Sequence, residues 1–143
     1  MQSRNNFTER TEMSLSLQYR KEWGKIALRY IKYRLDFLKN RPHIRNRQPT
    51  LEELGKTMGV ASDELERFAY ALQHNNIGTA FSRERADQIA VAWCLAHKRW
   101  VVAELELDQK REREMIVIGA GKIGIDPKEA LEFNEFLESL YAA

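Results

Sequence analysis

Apolar residues recur every three or four positions through most of this chain, which is the spacing of one face of an α-helix. The first periodic segment covers about residues 14–39, and it is expected to stop before Pro42, because a residue that precedes proline avoids helical geometry. Its apolar face consists of Trp23, Ile26, Ala27, Tyr30, Ile31, Phe37 and Leu38. A polar, basic linker is expected over residues 40–49.

Further helices are predicted downstream from the same periodicity and from capping signals. Two short helices are expected at 51–58 and 62–73, followed by a loop at 74–81. Ser82 can cap a long helix that reaches about Leu107. The inner face of that helix is predicted to be Ala86, Ile89, Ala90, Trp93, His97, Trp100 and Val101.

The last third of the chain predicts two more helices. The first spans about 108–123 and ends at Gly124, and the second begins at an Asp126-Pro127 start signal. Together the segments predict an all-α fold, a compact bundle of five or six helices. The expected organisation is a flexible N-terminus at 1–13 and a single helical domain at 14–143. Within it lie a basic helix (14–39), a helix-turn-helix-like unit (50–74) and an acidic helical part (82–143).

The segment 50–74 carries local signals for two helices joined by a tight turn. Thr50 and Glu53 have the spacing of a capping box, in which each side chain bonds the backbone of the other. Gly55 is expected where the two helices approach closely, and Gly59 where the turn needs a positive φ. The predicted inner faces are Leu51, Leu54, Met58, Leu65, Phe68 and Leu72.

Residues 47–68, RQPTLEELGKTMGVASDELERF, resemble the region-3 helical module of bacterial sigma factors. The resemblance covers 22 of 143 residues and implies a helix-turn-helix unit with a role in transcription. The exposed start of the second helix departs from simple DNA readout, because Asp63, Glu64 and Glu66 would repel phosphates. The residues suited to contacting bases are Arg67, Tyr70 and Gln73. Nucleic-acid contact and protein contact therefore both remain open for this unit.

The charge of the chain is strongly asymmetric although its net value is only +2. Residues 1–48 hold twelve lysines and arginines against four acids, whereas residues 49–143 hold eleven against seventeen. The basic part predicts a polyanionic or acidic partner, unless the acidic half of the same chain covers it. The candidate binding residues for nucleic acid or an acidic protein are Lys21, Lys25, Arg29, Lys32, Arg41, Arg45, Arg47 and Arg67. The first four are expected on one helix face, and the linker arginines on an arm before the helix-turn-helix-like unit.

One glycine pattern mimics a dinucleotide-binding fingerprint. Gly119, Gly121 and Gly124 form a literal G-x-G-x-x-G after the apolar run at 115–118. That motif needs a helix that begins within the glycines, but here a helix is expected to start only at Pro127. A helix end followed by a capped helix is the favoured interpretation, so no nucleotide cofactor is expected.

Two other arrangements suggest chemistry only weakly. Cys94 and His97 lie three residues apart, but no second Cys/His pair completes a metal site. Trp93 and Trp100 could stack bases, although aromatic residues at helical spacing are more often core. No nucleophile is paired with a base, and no enzymatic activity, metal or cofactor is expected.

The function predicted from these features is that of a non-enzymatic, transcription-related regulatory protein. It would contact nucleic acid through the helix-turn-helix-like unit and the basic helix and linker. The alternative is a protein-interaction adaptor or inhibitor without nucleic-acid binding. A single cysteine, no signal peptide and no apolar run of membrane-spanning length predict a cytoplasmic protein without a membrane partner. A wide apolar set on the last helix also suggests a homodimer: Ala130, Phe133, Phe136, Leu137 and Leu140.

Overall fold

The computed structural model describes the backbone of residues 21–142 and the side chains of residues 22–140. These residues form eight helices and no strand, which confirms the all-helical prediction. The helices are α1 (Lys21–Lys39), α2 (Pro42–Arg45), α3 (Leu51–Met58), α4 (Ser62–Gln73), α5 (Ile77–Ala80), α6 (Arg83–Leu105), α7 (Gln109–Ile123) and α8 (Pro127–Ala142). The predicted flexible segment 1–13 and the start of the first helix lie outside the described residues.

The prediction of five or six helices was too low, because two one-turn helices were missed. α2 lies in the segment predicted as a linker, and α5 lies in the segment predicted as a loop. Pro42 opens α2, and the Arg45 amide donates to the Arg41 carbonyl at 2.9 Å. A single turn is too short to repeat an apolar face, so the periodicity of the sequence cannot reveal it.

α6 is the central helix of the bundle. Every residue from Ile89 to Ala96 is buried, and α1, α3, α5 and α8 all pack against this helix. The predicted inner face is confirmed for Ala86, Ile89, Ala90 and Trp93, whereas His97, Trp100 and Val101 are only half-buried. The sequence predicts one buried face, but α6 has neighbours on all sides over its middle turns.

The α3–α4 pair forms as the local signals predict. The Thr50 hydroxyl accepts from the Glu53 amide at 3.1 Å, and the Glu53 carboxylate accepts from the Thr50 amide at 2.8 Å. Gly59 ends α3 with φ 74°, a conformation that favours glycine. At Gly55 a Cβ atom would collide with the backbone oxygen of Val60. The predicted inner faces are buried at Leu54, Met58, Leu65, Phe68 and Leu72, while Leu51 is half-buried.

The C-terminal helices also begin and end at the predicted residues. Gly124 stops α7 with φ 82°, and Pro127 is the first residue of α8. The predicted apolar set of α8 is buried within this chain, except for Phe136, which is half-buried and stacks on Trp23 at 5.6 Å. The width of that set is therefore explained by intramolecular packing and needs no second chain.

Candidate interaction surface

The most concentrated positive charge in the described residues begins at Lys39, the last residue of α1, and continues through the segment that leads to α3. We call residues 39–49 the basic linker; it contains Lys39, Arg41, Arg45 and Arg47, and its sequence has no acidic residue. All four side chains are exposed. The linker therefore presents a compact positive surface immediately before the Thr50 cap of α3.

The basic linker is folded rather than an extended arm. Besides the turn of α2, the amide of Arg47 donates to the Ile44 carbonyl at 3.0 Å. Arg41 donates to the Phe37 carbonyl at 2.6 Å, and its guanidinium lies 4.0 Å from the Phe37 ring centre. Arg45 donates to the Lys39 carbonyl at 3.3 Å. The side-chain contacts restrain Arg41 and Arg45, which lowers the entropic cost of ordering them around a ligand.

A half-buried arginine ties the basic linker to the bundle. Arg34 of α1 donates from Nη2 to Oε1 of Gln48 at 3.0 Å, while its Nε is buried without a hydrogen-bond partner. His97 of α6 also has a buried ring nitrogen, Nε2, without a partner. Burial, and secondarily the charge of Arg34, lowers the pKa of His97 to about 4. His97 is therefore neutral near pH 7.

The four basic residues predicted on one face of the first helix, Lys21, Lys25, Arg29 and Lys32, which we call the basic stripe, do not all remain free of contacts within the chain. Arg29 donates to the carbonyls of Ile123 and Gly124, at 2.8 and 3.2 Å, and so caps the C-terminal end of α7. Lys32 forms an ion pair with Asp36 at 2.9 Å. Lys25 is exposed, and the Lys21 side chain lies outside the described residues. The structure thus uses part of this stripe to hold the chain together.

The exposed face of α4 carries mixed charge and an aromatic pair. Asp63, Glu66 and Arg67 are exposed, and the Tyr70 side chain, 62% exposed, stacks on His74 with ring centres 3.9 Å apart. Arg67 also lies over the Phe81 ring at 5.5 Å.

Glu64, the third acid predicted to face a ligand, has an internal partner instead. Its carboxylate accepts two hydrogen bonds from Arg85 of α6, at 3.0 and 2.9 Å. These bonds hold the pKa of Glu64 below its usual value. One of the charges that would repel phosphate is thus compensated within the fold.

Two important cations were not identified as site residues from the sequence. Lys98 joins three helices, because its ammonium lies 2.7 Å from Glu112 of α7 and 3.3 Å from Glu138 of α8. Arg34 anchors the basic linker, and its only sequence signal is that it interrupts the apolar face of the first helix. The partners of both come from distant segments, which sequence spacing cannot indicate.

Of the residues that suggested metal or base-stacking chemistry, Cys94 and Trp93 are buried in the core, while His97 and Trp100 are half-buried. Cys94 is buried, its pKa is raised by burial, and its sulfur lies 3.8 Å from the Ala27 carbonyl. Trp93 is buried against Phe68, with ring centres 5.9 Å apart. Among the described residues, no group of three or more His, Cys, Asp or Glu side chains is placed to bind a metal ion. No helix in that part of the chain is long and apolar enough to span a bilayer.

Comparison with known proteins does not identify a function for this chain. No protein-family model, curated protein or solved structure matches the chain. The basic linker and the exposed face of α4 are therefore the features on which a functional proposal must rest.

Proposed function

We propose that this protein is a non-enzymatic, transcription-related regulator that binds nucleic acid through the basic linker and the α3–α4 pair. In this proposal α3 and α4 act as a helix-turn-helix-like unit. The observation that carries it is the folded, acid-free linker, whose exposed Arg41, Arg45 and Arg47 stand directly before α3.

Phosphate contacts supply most of the affinity in this proposal. Arginine guanidinium groups match the geometry of phosphate oxygens and can donate two hydrogen bonds to them. The restrained turns around α2 present three such groups within seven residues. Binding is expected to be steeply salt-dependent, with a slope near −0.9 for each phosphate contacted on duplex DNA.

Base recognition is expected to be weak. Asp63 and Glu66 remain exposed on α4 and repel phosphates, although Arg85 compensates Glu64. Arg67 and Tyr70 are the exposed side chains able to contact base edges or stack on bases. The protein should therefore discriminate little between duplex sequences.

The test is a binding titration with labelled duplex DNA at low and moderate salt. Replacing Arg41, Arg45 and Arg47 together with alanine should weaken binding at least about tenfold and flatten the salt dependence. A matched control removes three exposed cations elsewhere, Lys110, Arg113 and Lys128. That control should bind like the unchanged protein within roughly twofold.

Two results would contradict the proposal. One is that the unchanged protein fails to bind DNA at low salt. The other is that the control triple variant loses as much affinity as the linker variant, because net charge alone would then explain binding.

The second candidate function is a protein-interaction adaptor or inhibitor. It is favoured by the exposed acids Asp63 and Glu66 and by the intramolecular use of Arg29 and Lys32. In that case the basic linker would bind polyglutamate, as a probe for an acidic protein, and would not bind duplex DNA. Running both ligands in the same titration distinguishes the two functions.

A further inference from the structure

The outer side of α7 exposes two large apolar side chains, Met115 and Ile118, flanked by charged residues. We call it the α7 face and define it by Arg111, Glu114, Met115, Ile118, Gly121 and Lys122, all of which are exposed. Ile118 is 60% exposed and Met115 is 44% exposed. Large apolar side chains clustered on one helix face are typical of an interaction surface.

The orientation of α7 is fixed by its inner side. Ala120 is buried, and Ile116 and Ile123 pack against the core. The Lys98–Glu112 ion pair and the Arg29 hydrogen bond to Ile123 hold the helix at both ends. With about 3.6 residues per turn, these anchors place Ile118 on the opposite side of the helix. The α7 face is therefore presented outward by a well-held helix.

We infer that the α7 face binds the same face of a second copy of this chain, with the two helices antiparallel. The charges on the face indicate this orientation. Glu114 and Lys122 lie four residues before and four residues after Ile118. A two-fold axis at Ile118 brings Glu114 of each copy to the level of Lys122 of the other. Parallel pairing would instead place Glu114 beside Glu114.

The two charged side chains that this pairing needs, Glu114 and Lys122, are exposed. Neither Glu114 nor Lys122 forms an ion pair within the part of the chain that the structure describes. In the antiparallel arrangement each chain contributes one acid and one base, so two opposite-charge pairs flank the central Ile118 contact. Such pairs stabilise the correct register and disfavour the parallel one.

The backbone of α7 also permits the α7 helix of a second copy to approach closely. Gly121 is exposed, and a Cβ atom built on it would meet nothing within 4 Å, so the backbone of α7 is open to solvent at this position. Gly121 and Met115 lie three residues on either side of Ile118, so antiparallel pairing brings Gly121 of one copy to the level of Met115 of the other. The missing side chain leaves room for the apolar side chains of the second copy.

This self-association is separate from nucleic-acid binding, because it uses neither the basic linker nor α4. The contact is one helix face on each chain, so it is expected to bury less than the roughly 800 Å² per partner of a standard interface. The monomer–dimer equilibrium should therefore depend visibly on protein concentration.

Sedimentation velocity across a series of protein concentrations tests the inference. The unchanged protein should shift from monomer to dimer as concentration rises, and Ile118→Glu should weaken dimerisation at least about tenfold. Tyr70→Glu is the matched control, because Tyr70 is 62% exposed and lies on α4. It should leave the equilibrium unchanged, and circular dichroism verifies that both variants stay helical.

Charge exchange tests the antiparallel orientation. Glu114→Lys and Lys122→Glu should each weaken dimerisation, and the double variant should restore it. A mixture of the two single variants should also dimerise. A monomer at every concentration, or dimers unaffected by Ile118→Glu, would overturn the inference. If both charge variants leave dimerisation unchanged, the antiparallel assignment is wrong.

Discussion

Glu64 and Arg85 form a two-point ion pair that joins α4 to the central helix α6. The distances are 3.0 Å from Nε to Oε2 and 2.9 Å from Nη2 to Oε1. The Glu64 side chain is 21% exposed and that of Arg85 is 35% exposed, so water screens the pair only in part. The pair holds the start of α4 in place and compensates one acid of its first turn.

Replacing Glu64 with glutamine should lower the free energy of unfolding at pH 7 by about 1 kcal/mol, because the pair is bidentate and partly buried. Urea unfolding measures this change. Glu66→Gln is the control, since Glu66 is exposed on the same helix and should have little effect. Because the pKa of Glu64 is lowered in the fold, its contribution is present at neutral pH and is lost as pH falls through that pKa. A deficit that persists undiminished in strong acid would contradict the assignment.

Gly55 inside α3 and Gly59 at its end should respond differently to alanine. At Gly59 the cost should be about 1 kcal/mol, because its φ of 74° disfavours a side chain. At Gly55 the cost should be larger, about 3 kcal/mol, because the new Cβ collides with the Val60 carbonyl and the backbone must shift.

Thermal or urea unfolding compares the two variants with Gly119→Ala. Gly119 lies inside α7, where a Cβ meets nothing within 4 Å, so alanine there should be neutral or stabilising. An equal effect at Gly55 and Gly119 would show that the close approach of α3 to the turn is not important for stability.

His97 should make the fold sensitive to mild acid. Its pKa is about 4 in the fold, below the ordinary value of 6.5, because burial penalises the charged ring. Between pH 6.5 and pH 4, His97 therefore binds a proton in the unfolded chain but stays neutral in the folded chain. Stability should fall as pH drops from about 6.5 to about 4, by at most about 3 kcal/mol.

Unfolding midpoints measured across that pH range check this expectation. His97→Gln should flatten the loss, whereas His43→Gln should not, because His43 is exposed in the basic linker. If the His97→Gln variant loses stability with falling pH as steeply as the unchanged protein, another group causes the acid sensitivity.

Local signals were the part of the fold that the sequence predicted well. The Thr50–Glu53 box, the positive φ at Gly59 and the start at Pro127 depend on residues a few positions apart, so the sequence states them directly. The one-turn helices α2 and α5 have no such repeat and were missed.

The roles of the candidate site residues depended on tertiary structure. Arg29 fits the basic stripe by spacing, but its hydrogen-bond acceptor, Ile123, lies 94 positions along the chain. The sequence predicts that Glu64 is an exposed acid, but in the fold α6 places Arg85 beside it. Sequence spacing places a side chain on a helix face, whereas the packing of helices decides whether that face meets solvent or a partner.

The complete burial of the middle of α6 has a consequence for how the molecule opens. Since four other helices pack against α6 and every residue from Ile89 to Ala96 is buried, loss of a packed helix uncovers apolar surface on this central helix. Local fraying can therefore expose backbone amides at the ends of the bundle, but not the backbone amides of Ile89–Ala96. Their hydrogens should exchange with deuterated solvent only through global unfolding, at a rate that reports the full stability of the protein.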